Sequence, residues 1–157
     1  MYRLHHIEYL IYFFLMIFIY VILIAFLPGQ VVTEFDREKI TTIQIIYHNL
    51  TIFFKWQVLF IFSPVYWLFE TFVLSWTIKT GINTFGVMQA FQKIFKHGII
   101  EIPNMFLYQL LSIRLFYFWW KKKKFKLVIE YVRDNINLYT LSIAAIIISG
   151  LIEGMTW

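Results

Sequence analysis

The chain is 157 residues long, 61% hydrophobic and 22% aromatic, with 15% charged residues and a formal net charge of +5. Soluble domains run at roughly 45–50% apolar, and a chain this short exposes too much surface to hide the excess, so a soluble domain and a disordered chain are both excluded. The absence of cysteine removes a disulfide framework, thiolate catalysis, cysteine-ligated zinc and iron–sulfur clusters.

The positive residues gather at the ends of apolar runs. That is where a membrane protein places them, and it is not the broad basic surface that nucleic acid requires. The first run, Tyr9 to Leu27, carries no charge over nineteen residues and ends at Pro28-Gly29. As a helix it measures about 28 Å, close to the roughly 30 Å of bilayer hydrocarbon. Its length, and the bulky Phe26-Leu27 where a signal peptide has small residues, make it a retained anchor. Residues 28–42, with Glu34, Asp36 and Glu38 against Arg37 and Lys39, read as an exposed acidic loop.

From Ile43 to Ile78 the chain is apolar again, about 54 Å if helical, which suits two crossings broken at Ser63-Pro64. Residues 79–96 mix Gly81 and Gly86 with three lysines and read as a loop or a re-entrant segment. A further run, Ile99 to Trp120, stops at Trp119-Trp120 followed by Lys121, Lys122, Lys123 and Lys124, an interfacial aromatic anchor against a positive cluster. The last run is Ile136 to Ile152. The expected architecture is therefore all-α, a multi-pass membrane bundle in one domain, with about five spans at 9–27, 43–62, 64–80, 99–120 and 136–152. Loop 121–135 has six basic residues against Glu130 and Asp134 and is assigned to the cytoplasm, together with the N-terminus.

A charge at mid-bilayer costs on the order of 2.5–3.5 kcal/mol on insertion scales, so each one needs a partner or a task. The charges inside the runs are Lys55, Glu70, Glu101, Arg114 and Glu153, and Lys55 is expected to pair with Glu70 on the adjoining span. The densest constellation is His97-Gly98-Ile99-Ile100-Glu101-Ile102-Pro103-Asn104. His97, Glu101, Asn104 and Tyr108 fall at i, i+4, i+7 and i+11, one polar stripe on an apolar helix. Gly98 permits a close neighbouring backbone, and Pro103 frees a carbonyl one turn earlier. Asn49 and Glu153 are the expected neighbours of this intramembrane polar centre, with a neutral Glu101 donating to Asn49. Such a stripe can position a substrate or partner helix, or simply lock the bundle.

Metalloprotease chemistry fails on count, because an H-E-x-x-H site needs a histidine where Glu101 stands, and His48 is a remote third ligand. The chain contains no G-x-S-x-G elbow, P-loop or G-x-G-x-x-G. No catalytic residue, metal or cofactor is expected, and any ATP used must be hydrolysed by another chain.

The segment His97-Gly98-Ile99-Ile100-Glu101-Ile102-Pro103 resembles the H-G-x-x-E-x-P signature of the stage II sporulation protein M family of bacterial membrane proteins. Tyr47-His48-Asn49-Leu50 resembles the family's asparagine-bearing second span, and Ile148 to Thr156 its Ile-Glu-containing C-terminal ending. The sequence departs from the family at Glu70-Thr71-Phe72-Val73, where an Asn-Gly pair is common. It departs again at Met105-Phe106-Leu107-Tyr108, where small residues are usual, so close helix packing is not expected there. The resemblance implies a plasma-membrane accessory protein. One type within the family acts beside circular bacteriocins, in maturation, export or self-immunity, with a transporter ATPase and a hydrophobic peptide as partners. The other anchors cell-wall hydrolases in spore engulfment. The chain looks trimmed to the membrane domain, which favours the first type, and the Lys121 to Lys124 turn would hold either a partner or anionic lipid.

The charge pattern makes a direct prediction. A cysteine placed at Lys122 should resist a membrane-impermeant maleimide added to intact cells, and strong labelling there would invert the topology.

Overall fold

The structure, a computed structural model, describes residues 4–32 and 41–155, with only the backbone of 93, 95–97 and 155. The described residues form helices α1 (His6–Phe26), α2 (Thr42–Val58), α3 (Ser63–Phe85), α4 (Val87–Lys122), α5 (Phe125–Asp134) and α6 (Ile136–Met155). The architecture is an all-α bundle. The acidic loop expected at 28–42 falls largely outside the described residues.

Local chemistry sets the helix ends. At the start of α2, Thr41 and Gln44 cap each other: the Thr41 N–H donates to Gln44 Oε1 at 2.8 Å, and the Gln44 N–H donates back to Thr41 Oγ1 at 3.4 Å. After Val58 the chain makes one 3₁₀ turn, Phe60–Phe62, before Pro64 opens α3 in the first turn, where its missing N–H costs nothing. Between α3 and α4 stands Gly86 alone, at φ 81°, a backbone angle that side-chain-bearing residues rarely adopt.

That junction corrects the reading of residues 79–96. They are not a free loop, because α3 runs to Phe85 and α4 resumes at Val87. Lys79 and Gly81 lie within α3, Lys93 and Lys96 within α4, and Gly86 is the junction itself. The stretch 121–135 is likewise not a plain loop. It holds α5, a short amphipathic helix whose Val128 and Tyr131 are buried one turn apart while Phe125, Lys126 and Ile129 face outward. Burial pushes the Tyr131 phenol up, so it stays neutral, and its hydroxyl finds no partner among the described residues.

Cross-helix contacts give the directions. α1 starts beside the beginning of α6, where the Leu4 N–H donates to Asn135 Oδ1 at 2.8 Å, and ends where Asn83, near the end of α3, donates to the Gly29 carbonyl at 3.2 Å. α2 runs alongside α4 in the same direction, with Asn49 meeting Glu101 and Trp56 meeting Ser112. α6 opposes α2, its Gly150 and Gly154 facing Ile46 and Thr42. The chain thus passes end to end as α1, α2, α3, α4 and α6, with the start of α1 at the same end as the lysine turn. Four described helical stretches are long and apolar enough to cross a bilayer: His6–Phe26, Phe60–Phe85, Gly98–Lys122 and Ile136–Gly154. α2, with 17 residues, measures about 26 Å and falls short of that length by itself. The 3₁₀ turn that follows it belongs to the Phe60–Phe85 stretch, so the expected span 43–62 is not among the four.

Two apolar clusters fill the bundle. Phe53, Trp56, Tyr108, Leu111 and Tyr139 join α2, α4 and α6, while Met16, Tyr20 and Phe106 join α1 to α4. Gly150 and Gly154 form a G-x-x-x-G face on α6, which lets α2 approach closely enough that a Cβ at Gly150 would lie 2.5 Å from Ile46 Cγ1. Around Gly81, by contrast, no atom lies within 4 Å of a built Cβ. Gly154→Leu should therefore lower the melting temperature in detergent, costing about 1–3 kcal/mol as overpacking does, whereas Gly81→Ala should be neutral or stabilising by up to about 1 kcal/mol.

Candidate functional site

α4 carries the polar groups and the surrounding helices answer them. Asn49 Nδ2 donates to Glu101 Oε1 at 2.9 Å across the α2–α4 interface. The two expected neighbours do meet, with the amide rather than the carboxyl as donor. One turn further along, Asn104 Nδ2 donates to the Ser142 carbonyl at 3.1 Å, and Ser142 Oγ donates back to Asn104 Oδ1 at 2.5 Å. This reciprocal pair fixes α4 against α6, and both side chains are buried.

A cavity of about 190 Å³ lies between these links, lined by Asn49, Glu101, Asn104, Tyr108 and Ser149 among apolar neighbours. A second cavity of about 320 Å³ opens between α3 and the first half of α4, lined by Leu74, Gly81, Phe85, Gly98, Glu101 and Ile102. Leu74, Glu101 and Ile102 border both. Glu101 therefore stands where the two cavities meet. That is a position from which a carboxyl can hold a group entering from either side.

The other predicted residues distribute as follows. Gly98 lines the open cavity, and the atoms nearest to its missing Cβ are the side chains of Ile94 and Ile102 on its own helix. It thus makes room for the cavity rather than for a neighbouring backbone. α4 continues through Pro103, whose carbonyl accepts from Tyr9 Oη at 2.8 Å. Glu153 is half-buried near the end of α6 and does not line the cavity. The His97 side chain lies outside the described residues. His48 points outward on α2 while Asn49 points in, and among the described residues no three His, Asp or Glu side chains converge as a metal site requires.

The expected Lys55–Glu70 pair does not form. Lys55 is exposed near the end of α2, from where a long side chain reaches the interface, and Glu70 accepts instead from Gln109 Nε2 at 3.4 Å. Gln109 is wholly buried and also accepts from Tyr12 Oη at 3.3 Å, which links α1, α4 and α3. Arg114 forms an ion pair with Glu8 of α1. Sequence reasoning missed Gln109, Ser142, Tyr12 and Glu8. Gln109 alone carried a signal, as an uncharged amide in the middle of an apolar run. Lys121, Lys122, Lys123 and Lys124 form the exposed turn from α4 to α5, with Lys123 Nζ 4.3 Å and 4.0 Å from the ring centres of Trp119 and Trp120.

A multi-pass helical bundle with its polar groups turned inward is a membrane protein's solution to the absence of water. The family model described as Stage II sporulation protein M matches residues 9–156, and the chain belongs to that family. No match to the chain is found among the curated proteins or among the solved structures.

The Asn49–Glu101 link can be weighed directly. A double-mutant cycle of Asn49→Ala and Glu101→Ala, read by unfolding in mixed micelles, should give a coupling energy of about 0.6–1.7 kcal/mol, the measured range for interhelical hydrogen bonds. Coupling near zero would show that the pair does not hold the bundle.

Proposed function

We propose that the protein is a non-catalytic membrane accessory subunit that recognises its partners within the plane of the bilayer through the polar centre around Glu101. The observation that carries this reading is the position of Glu101 on the shared border of two cavities, the smaller one with Asn49, Asn104 and Ser149 in its wall and the larger one beside α3. A carboxyl used only as a clasp needs its hydrogen bond to Asn49 but no cavity on either side. The lack of a nucleophile–base pair and of a complete ligand set, as far as the sequence and the described side chains go, argues against chemistry at this centre.

Within the family, the reading we favour is a role in maturation, export or self-immunity of a circular bacteriocin, in the cell membrane of a bacterium, with a transporter ATPase as partner. A hydrophobic peptide fits a largely apolar cavity with one polar anchoring group. The N-terminus and the lysine turn, which share one end of the bundle, are assigned to the cytoplasm by charge. Anchoring of wall hydrolases, as in spore engulfment, is the second reading. It rests on family membership alone.

Glu101→Gln tests the functional role of the carboxyl. It preserves shape and a neutral hydrogen bond to Asn49 but cannot ionise. Loss of producer protection or of peptide export, at normal membrane abundance, is the expected result. Full activity would reduce Glu101 to a clasp.

A further inference from the structure

On the face of the bundle away from α3, a groove of about 440 Å³ runs between α4 and α6 beneath the first turn of α1. Its walls include Pro103, Leu107, Leu141 and Ala145, with His5 and His6 at the α1 side. The polar atoms on its floor are already engaged. Tyr9 Oη donates to the Pro103 carbonyl, and Asn104 is taken up by Ser142. What the groove offers its occupant is hydrocarbon.

We propose that this groove is a binding site for one anionic phospholipid of the surrounding bilayer, with an acyl chain in the groove and the headgroup at His5 and His6. The size argues for a chain rather than a helix. A helix about 10–12 Å across fills about 400–600 Å³ in each turn of about 5.4 Å, so the groove has room for one turn at most. The rim opens to the membrane, because Ile99 and Leu141 are 59% and 58% exposed and His5 and His6 are exposed. An apolar groove facing lipid fills with lipid.

The charge of this end selects the headgroup. The Leu4 N–H bond to Asn135 places the first turn of α1 beside the α5–α6 junction, at the end that carries Lys121 to Lys124, Lys126 and Arg133. Glu8, the nearest acid on α1, is already neutralised by Arg114. Exposed imidazoles supply N–H donors to phosphate oxygens, and the basic end draws anionic headgroups to that leaflet. This site shares no function with the Glu101 centre, and its test is independent of that proposal.

The experiment uses the full chain purified from nanodiscs containing equal phosphatidylglycerol and phosphatidylcholine, with retained lipid counted by native mass spectrometry. One phosphatidylglycerol per chain is expected, retained at least tenfold over phosphatidylcholine. Ala145→Phe fills the groove and should abolish retention. His6→Glu, at an exposed position that leaves packing untouched, should lower the preference for phosphatidylglycerol several-fold even if Ala145→Phe fails to fold. Equal retention of both lipids, or retention unchanged by His6→Glu, would overturn the proposal. So would a two-chain complex free of lipid, which would mean that a second copy covers the groove.

Discussion

Inside a bilayer a polar side chain has no water to turn to, so each one on a buried helix must be met by a neighbour. α4 is built around that demand. Read along its length, Glu101 is met by Asn49 of α2, the Pro103 carbonyl by Tyr9 of α1, and Asn104 by Ser142 of α6. Further on, Gln109 bridges Glu70 of α3 and Tyr12 of α1, the hydroxyl of Ser112 reaches the Trp56 carbonyl of α2 at 2.6 Å, and Arg114 pairs with Glu8. Every other spanning helix is held to α4 by at least one of these bonds. Hydrocarbon contacts between apolar helices carry little preference over contacts with lipid, so the polar bonds set which faces meet and at what height.

This arrangement also explains why the cavities sit where they do. The two hydrogen-bonded levels at Glu101 and Asn104 pin α4 to α2 and α6, whereas towards α3 the first half of α4 presents Ala90, Ile94 and Gly98 opposite Gly81 and Leu74. Ala90 and Gly98 on one side and Gly81 on the other, with no polar bond between the two helices at this level among the described residues, leave space. Glu101 lies at the edge between the pinned and the open side. Pro103 lies two residues later within the same continuous helix, so the polar centre, the proline and both cavities share one stretch of α4.

Much of this was legible in the sequence, and the reasons for the rest are physical. Hydropathy located the four stretches long and apolar enough to cross a bilayer because bilayer thickness imposes a length, and the break at Ser63-Pro64 follows from proline's missing donor. The spacing of Glu101 and Asn104 put both on one face, and the family likeness pointed to Asn49. Partners distant in the chain were not legible: nothing in the order of residues shows that Gln109 meets Glu70, or that Ser142 meets Asn104. The expected Lys55–Glu70 pair went wrong for the same reason. Adjoining spans do not imply facing side chains, and a lysine one turn from a helix end reaches the interface more cheaply than it buries. α5 was hidden because its apolar period of three to four is interleaved with charges that dominated the reading of 121–135 as a loop.

The run that follows Asn104 shows how packing is distributed. Met105-Phe106-Leu107-Tyr108 is bulky throughout, which by itself would push neighbouring helices away from α4. The structure uses that bulk. Phe106 is fully buried, stacks on Tyr20 at 5.6 Å and meets Tyr12 and Phe13 edge-on, so it fills the space between α4 and α1. Tyr108 does the same toward Phe53 and Trp56 of α2. Close backbone approach lies elsewhere, at Gly150 and Gly154 on α6, where α2 sits against the glycine face. A bundle with one tight seam, between α2 and α6, and one aromatic-filled seam, between α1 and α4, concentrates its rigidity on the side that carries Asn49 and Asn104. The α3 side, bordering the open cavity, is left as the surface on which a partner helix or peptide can gain contact without displacing an existing one.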